Sequence, residues 1–129
     1  MSSVDILLSA NLCSIVHFLA FAFIEAPIFL QFTHLLACYT SLQRHVMTHT
    51  HSKWVNRIVT SVAFIMDLYY SRQMWSFQAM IWIATGAYTG SKLFESEGLY
   101  IFAQWLVTVC HVLMYVWYNT TGNFNKIRV

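Results

Sequence analysis

Charge is what this sequence lacks. Only 9% of its residues are charged, against about 25% in soluble domains. So small a supply cannot coat a water-facing surface. Most of the surface must therefore meet lipid or other proteins. Proline occurs once and glycine four times, which leaves little material for loops. The net charge is only +2 and there is no polybasic run, so nucleic acid is not expected as a partner. The usual signature for anionic headgroups is missing as well. The three cysteines, Cys13, Cys38 and Cys110, lie in apolar segments. An odd number there argues against a disulfide framework, and they read as small buried hydrophobes. Residues Met1 to Asp5 lack a basic n-region or an Arg-rich amphipathic pattern, so targeting is expected to reside in the spans.

What the sequence does have is apolar bulk. Hydrophobic residues make up 58% and aromatics 17%, with five Trp and seven Tyr. Amphipathic rings of this kind are enriched at bilayer interfaces. The expected fold is an all-α integral membrane protein, a single transmembrane helical domain over 1–129. It should have four or five transmembrane helices with short loops.

The first apolar run, Ile6 to Cys38, is interrupted by Glu25-Ala26-Pro27. A span needs ~20 residues, so the run is too long for one simple span. Proline suits the first turn of a helix and disfavours helix just before it, which predicts helices over 5–24 and 27–43. One long kinked helix is the alternative. A polar connection, Arg44 to Asn56, carries Arg44, His45, His49, His51 and Lys53. Further helices are expected over 54–70, 74–90 and 99–118, with a turn at Ser71–Gln73, a loop at Ser91–Gly98 and a polar tail from Asn119. The seven Lys and Arg residues divide too evenly between the two sides to orient the chain by the positive-inside rule.

Ionisable groups inside apolar segments are costly in lipid and mark function. His17, His34 and His111 are three such groups. With alternating helices at 1.5 Å per residue, all three fall at about one depth, ~18–20 Å from the same side. Imidazoles at matching depth are what axial ligation of haem b requires, and they suit a quinone equally. Single interhelical hydrogen bonds are the plainer reading. No metal site is expected. His45, His49 and His51 read as a solvated cluster, since the six histidines do not supply the H-x2-H-H boxes of membrane di-iron enzymes.

Asp67 is expected near the end of its helix, snorkelling to the interface and pairing with Arg72 or with another chain. Glu25 is expected to cap the turn beside Pro27. Gln78 and Gln104 are further polar groups needing partners within the membrane. Gly86-Ala-Tyr-Thr-Gly90 spaces two glycines as in close helix–helix contacts.

The run His111-Val-Leu-Met-Tyr115-Val-Trp-Tyr118 is similar to the H-V-x-M-Y-x-x-Y run of fatty-acid elongases. The elongase H-x2-H-H box is absent, so nothing is carried over. Asp67, with Ser41-Leu-Gln-Arg44, loosely resembles the haem- and quinone-binding anchors of succinate dehydrogenase. Those anchors have Tyr directly after the Asp, where this chain has Leu68.

No complete catalytic set is visible, so no catalytic residue is assigned. The expected role is a small non-catalytic subunit of a larger membrane complex with bound phospholipid. A respiratory-chain electron-transport assembly in the mitochondrial inner membrane is the natural setting. A haem b or quinone-binding anchor of the succinate dehydrogenase type is the alternative, and a small lipid-modifying enzyme the second. On the subunit reading, most of the polar intramembrane groups should contact other chains, lipid or cofactor.

Overall fold

A computed structural model describes residues 4–46 and 50–121, without the side chains of 45, 46 and 50–52. The described residues form five helices and no strand: α1 (Val4–Phe23), α2 (Ile28–Val46), α3 (Thr50–Tyr70), α4 (Trp75–Leu93) and α5 (Glu97–Thr121). The first apolar run is thus two helices. Pro27 stands directly before α2, as its fixed φ and missing N–H favour. Glu25 is exposed, and it is Gln31 that ties the turn. The Gln31 amide Nε2 donates to the Ile24 carbonyl at 3.0 Å, and its backbone N–H donates to Pro27 O at 3.1 Å. This replaces the expected cap by Glu25.

The polar stretch 44–56 is shorter as a connection than its composition suggests. α2 runs on to Val46 and α3 begins at Thr50, so most of the stretch is helical. Its polar residues extend the two helices instead of separating them. The turn after α3 is closed by Gln78, whose Nε2 donates to Leu68 O at 2.8 Å and to Ser71 Oγ at 3.0 Å. After α4, Phe94 N–H returns to Gly90 O at 2.9 Å and Ser96 N–H to Ser91 O at 3.0 Å. This is a helix C-terminal motif in which glycine is usual; here Glu95 takes the left-handed position with φ 51°. Ser96 Oγ then accepts from Leu99 N–H at 3.3 Å, the N-cap bond that opens α5.

Short connections make consecutive helices antiparallel neighbours. α1 packs against α2 and α5, α2 against α3, and α4 against α5. The order around the bundle is therefore α3–α2–α1–α5–α4. α3 and α4 close the ring only weakly, at their shared turn and through the Phe64 and Trp82 rings, 5.5 Å apart.

Polar side chains are gathered inside the bundle beside an apolar core, while its outer surface carries many large apolar side chains. Among the buried side chains are Ser14, His17, Gln31, His34, Asn56, Asp67, Thr108 and His111. Large apolar side chains point outward from every helix, including Ile15, Phe29, Ile65, Trp82 and Val109. α1 and α5 are long and apolar enough to cross a membrane; α2, α3 and α4 carry more polar residues.

The interior has two tiers. Ala20, Leu30, Tyr70, Phe77, Met114, Tyr115 and Tyr118 pack a solid core at the end bearing the α1–α2 and α3–α4 turns. The other half of the bundle is hollow.

Candidate functional site

The hollow is a cavity of about 510 Å³ reached by all five helices. Its room comes from small side chains at the bundle axis. Each helix contributes one alanine to the wall: Ala10, Ala37, Ala63, Ala84 and Ala103. Thr60, Ser61 and Ile65 of α3 line it while remaining exposed. The cavity therefore opens sideways on the α3 edge, where α3 and α4 part.

The floor, at the boundary with the solid tier, is polar. His17 from α1, His34 from α2, Asp67 from α3 and His111 from α5 all line the cavity, and all are buried. The Asp67 carboxylate holds two imidazoles at once. Oδ1 accepts from His34 Nε2 at 2.5 Å, and Oδ2 accepts from His111 Nε2 at 3.0 Å. These bonds bring the His34 and His111 rings into a stack with centroids 3.4 Å apart and planes 14° from parallel. Tyr115, one turn beyond His111, hydrogen-bonds His34 Nδ1 through its hydroxyl. The His17 ring stands 5.3 Å from His111 and 5.9 Å from His34 by centroid.

The tautomers follow from Asp67. An ionised carboxylate only accepts, so both Nε2 atoms carry the proton. In neutral rings both Nδ1 atoms then present lone pairs. That of His34 takes the Tyr115 hydroxyl, while that of His111 has no partner. His17 Nδ1 and Gln104 Oε1 are likewise buried and unpartnered. Buried polar atoms are normally satisfied, so the two unfilled imidazole nitrogens mark the floor as built to meet something else, with Gln104 Oε1 a further unfilled atom about two turns away along α5.

The opposite end of the cavity is also polar. Arg44 donates to Asn56 Oδ1 at 3.3 Å and to the Tyr88 hydroxyl at 3.2 Å. Asn56 in turn donates to Thr40 Oγ1 at 3.0 Å. Lys92 lies 4.7 Å over the Tyr88 ring.

No family model, curated protein or solved structure matches this chain. The site has to be read from its own geometry.

That geometry brings together the three histidines singled out by depth. It moves Asp67 from the interface to the centre: Asp67 pairs with His34 and His111 and not with Arg72, which donates to Tyr69 O at 2.7 Å. The reason is that two imidazole N–H donors lie within reach of a carboxylate that can therefore stay buried. Glu25 stands outside the site. Gln78 serves the α3–α4 turn, and Gln104 faces the cavity. A Cβ at Gly86 would meet nothing within 4 Å, and one at Gly90 would meet only Leu99 Cδ1 at 3.7 Å. The glycine pair thus faces mostly outward and makes no tight contact inside the chain. His45, His49 and His51 have side chains outside the described residues. Tyr115 was missed as a site residue; its spacing of four from His111 puts both on one helix face, which is the signal that could have found it.

Three imidazoles offer one ligand atom each, all within 4.8 Å of one another, so the floor can gather on one small ion. It is less suited to haem. The stacked His34 and His111 rings leave no gap for a macrocycle between them, so they cannot serve as ligands on its two faces.

Proposed function

We propose that this chain is a small multi-spanning membrane protein that holds a lipid-borne, mostly apolar molecule in its central cavity. The molecule's single hydrogen-bonding end would sit against the His17–His34–Asp67–His111 floor. The observation that carries this reading is the cavity itself: alanine walls from five helices, an exit on one side of the bundle, and a floor with unfilled polar atoms. Its volume lies within the range of about 300–1,000 Å³ common to small-molecule sites, and walls that are mostly apolar with a few convergent polar groups are what such sites have. The membrane setting is supported by the many large apolar side chains exposed on every helix, by the buried polar groups within, and by the apolar length of α1 and α5. In a bilayer the α3–α4 opening faces acyl chains, so the molecule would enter from the lipid. A sterol presents a hydroxyl that can donate to the unfilled His111 Nδ1, and an isoprenoid quinone presents a carbonyl that would accept from the His17 ring when its Nδ1 carries the proton.

Photolabelling tests this. The chain in lipid nanodiscs is irradiated with diazirine analogues of a short-chain quinone and of a sterol. Labelling by one of them at cavity residues, lost in Ala84→Phe, is the expected result. Absence of cavity labelling by both analogues contradicts the reading.

A second reading, a non-catalytic subunit of a larger membrane complex, is favoured by one observation. The Gly86 face is open, with space for a second helix to approach. A respiratory-chain assembly of the mitochondrial inner membrane is the setting this reading takes. The need for outside partners is smaller than the sequence suggests. Gln31, His34, Asp67, Gln78 and His111 all find hydrogen-bond partners inside the chain.

A further inference from the structure

From the arrangement of the floor we infer that His17, His34 and His111 form a binding site for one divalent transition-metal ion of the zinc class, with Asp67 as the carboxylate that orients two of the ligands. The inference does not depend on what the cavity holds.

The first support is convergence. Three helices, α1, α2 and α5, deliver one imidazole each to a single point, with ligand atoms within 4.8 Å of one another. Zn–N bonds of about 2.0–2.1 Å put tetrahedral nitrogens roughly 3.4 Å apart. The nitrogens must close by up to about 1.4 Å to reach that spacing, and the stacked His34 and His111 rings must turn out of parallel so that both lone pairs meet one ion. Imidazole ligands without thiolate suit zinc, copper, iron or nickel, and not calcium or magnesium.

The second support is the direction of the protons. A metal-bound histidine usually donates its other ring N–H to a carboxylate, which fixes the tautomer and makes the free nitrogen a better ligand. Asp67 does this for two rings, through His34 Nε2 and His111 Nε2. The free nitrogen of His111 is then buried with no hydrogen-bond partner, and so is Nδ1 of His17. Both residues are 4% exposed. A network built only to satisfy itself would leave neither atom empty. The His34 lone pair is occupied by the Tyr115 hydroxyl, which a bound ion would displace.

The third support is charge. Among the described residues, Asp67 pairs with imidazoles alone and with no Lys or Arg. Buried carboxylates are normally matched by a cation or a metal. A divalent ion held by the three imidazoles would supply that match. Three protein ligands leave one coordination position open, as in sites where a metal meets water or substrate, and all three histidines line the cavity.

The test uses the full chain in mild detergent, stripped with chelator and then titrated with cobalt(II) and with zinc. One cobalt per chain, with the intense visible bands of tetrahedral nitrogen ligation, displaced by zinc, is expected. His17→Ala and His111→Ala should each abolish stoichiometric binding, and Asp67→Asn should weaken it roughly 10–100-fold. Helical circular dichroism of each variant separates lost ligation from lost folding. A triple His45→Ala, His49→Ala, His51→Ala variant should bind as the parent does. The inference is overturned if the parent chain retains no cobalt. It is equally overturned if binding survives in folded His17→Ala and His111→Ala, or disappears in the triple variant. Cavity photolabelling by quinone or sterol analogues reads the proposed function separately, so one result can fail without the other.

Discussion

At the residue scale, the decisive contact is one carboxylate shared by two imidazoles. Asp67 is buried and bound to His34 and His111, so removing it strands two N–H donors and leaves a hole at the floor. Leaving buried donors unsatisfied usually costs about 1–3 kcal/mol. Asp67→Ala should lower stability by about that amount, read from the midpoint of denaturant titration in detergent. A loss under about 1 kcal/mol would mean that the imidazoles find other partners, since that is the net worth of an ordinary hydrogen bond. The common level of the histidines was legible in the sequence; Asp67 stood out as a polar group within an apolar helix, but its pairing with them did not. Depth along a helix depends only on residue number and rise, so three buried histidines could be levelled without knowing any contact. Asp67 lies near the end of α3, where a carboxylate ordinarily reaches water. Its inward direction depends on the rotation of α3 about its axis, set by packing that no local pattern records. Its distance from the helix end is only about 5 Å at 1.5 Å per residue, short enough for His34 of the adjacent helix to reach it.

At the scale of the element, breaks were easier to foresee than lengths. Pro27 separates α1 from α2 for reasons written into its own covalent structure. The segment 44–56 reads as a loop because of its charge and histidine content, yet helix runs through most of it. Polar residues extend helices readily where water meets the ends of a bundle. Glu95 shows the reverse case, a residue in a conformation its side chain disfavours, at φ 51°. Left-handed backbone costs an L-residue roughly 1–2 kcal/mol relative to glycine. Glu95→Gly should therefore raise thermal stability by about 1 kcal/mol, measured by the melting of circular dichroism in detergent. Unchanged or lowered stability would show that the Glu95 side chain compensates the strain. α4 carries a separate prediction. The Gly86 Cβ position is open, so Gly86→Leu should leave folding of the isolated chain intact. Under the second reading it should weaken association with a partner helix, seen as loss of co-purifying subunits in mild detergent. Retention of every co-purifying subunit would assign this face to lipid.

The whole molecule is a bundle with polar side chains gathered inside, a packed half and a hollow half, and a polar floor between them. Helical content and the apolar outer surface follow from composition. The hollow does not, because it arises where alanines from all five helices line one space, and alanine is unremarkable in each helix taken alone. The account stands or falls on whether that hollow has an occupant. Native mass spectrometry of the chain released from mild detergent, without added ligand, asks this most directly. One retained lipid-like molecule per chain is expected in the parent protein, lost from folded Ala84→Phe and Ala103→Phe variants whose new rings fill the cavity. A parent chain that emerges bare, or the same adduct in parent and variants alike, would contradict it.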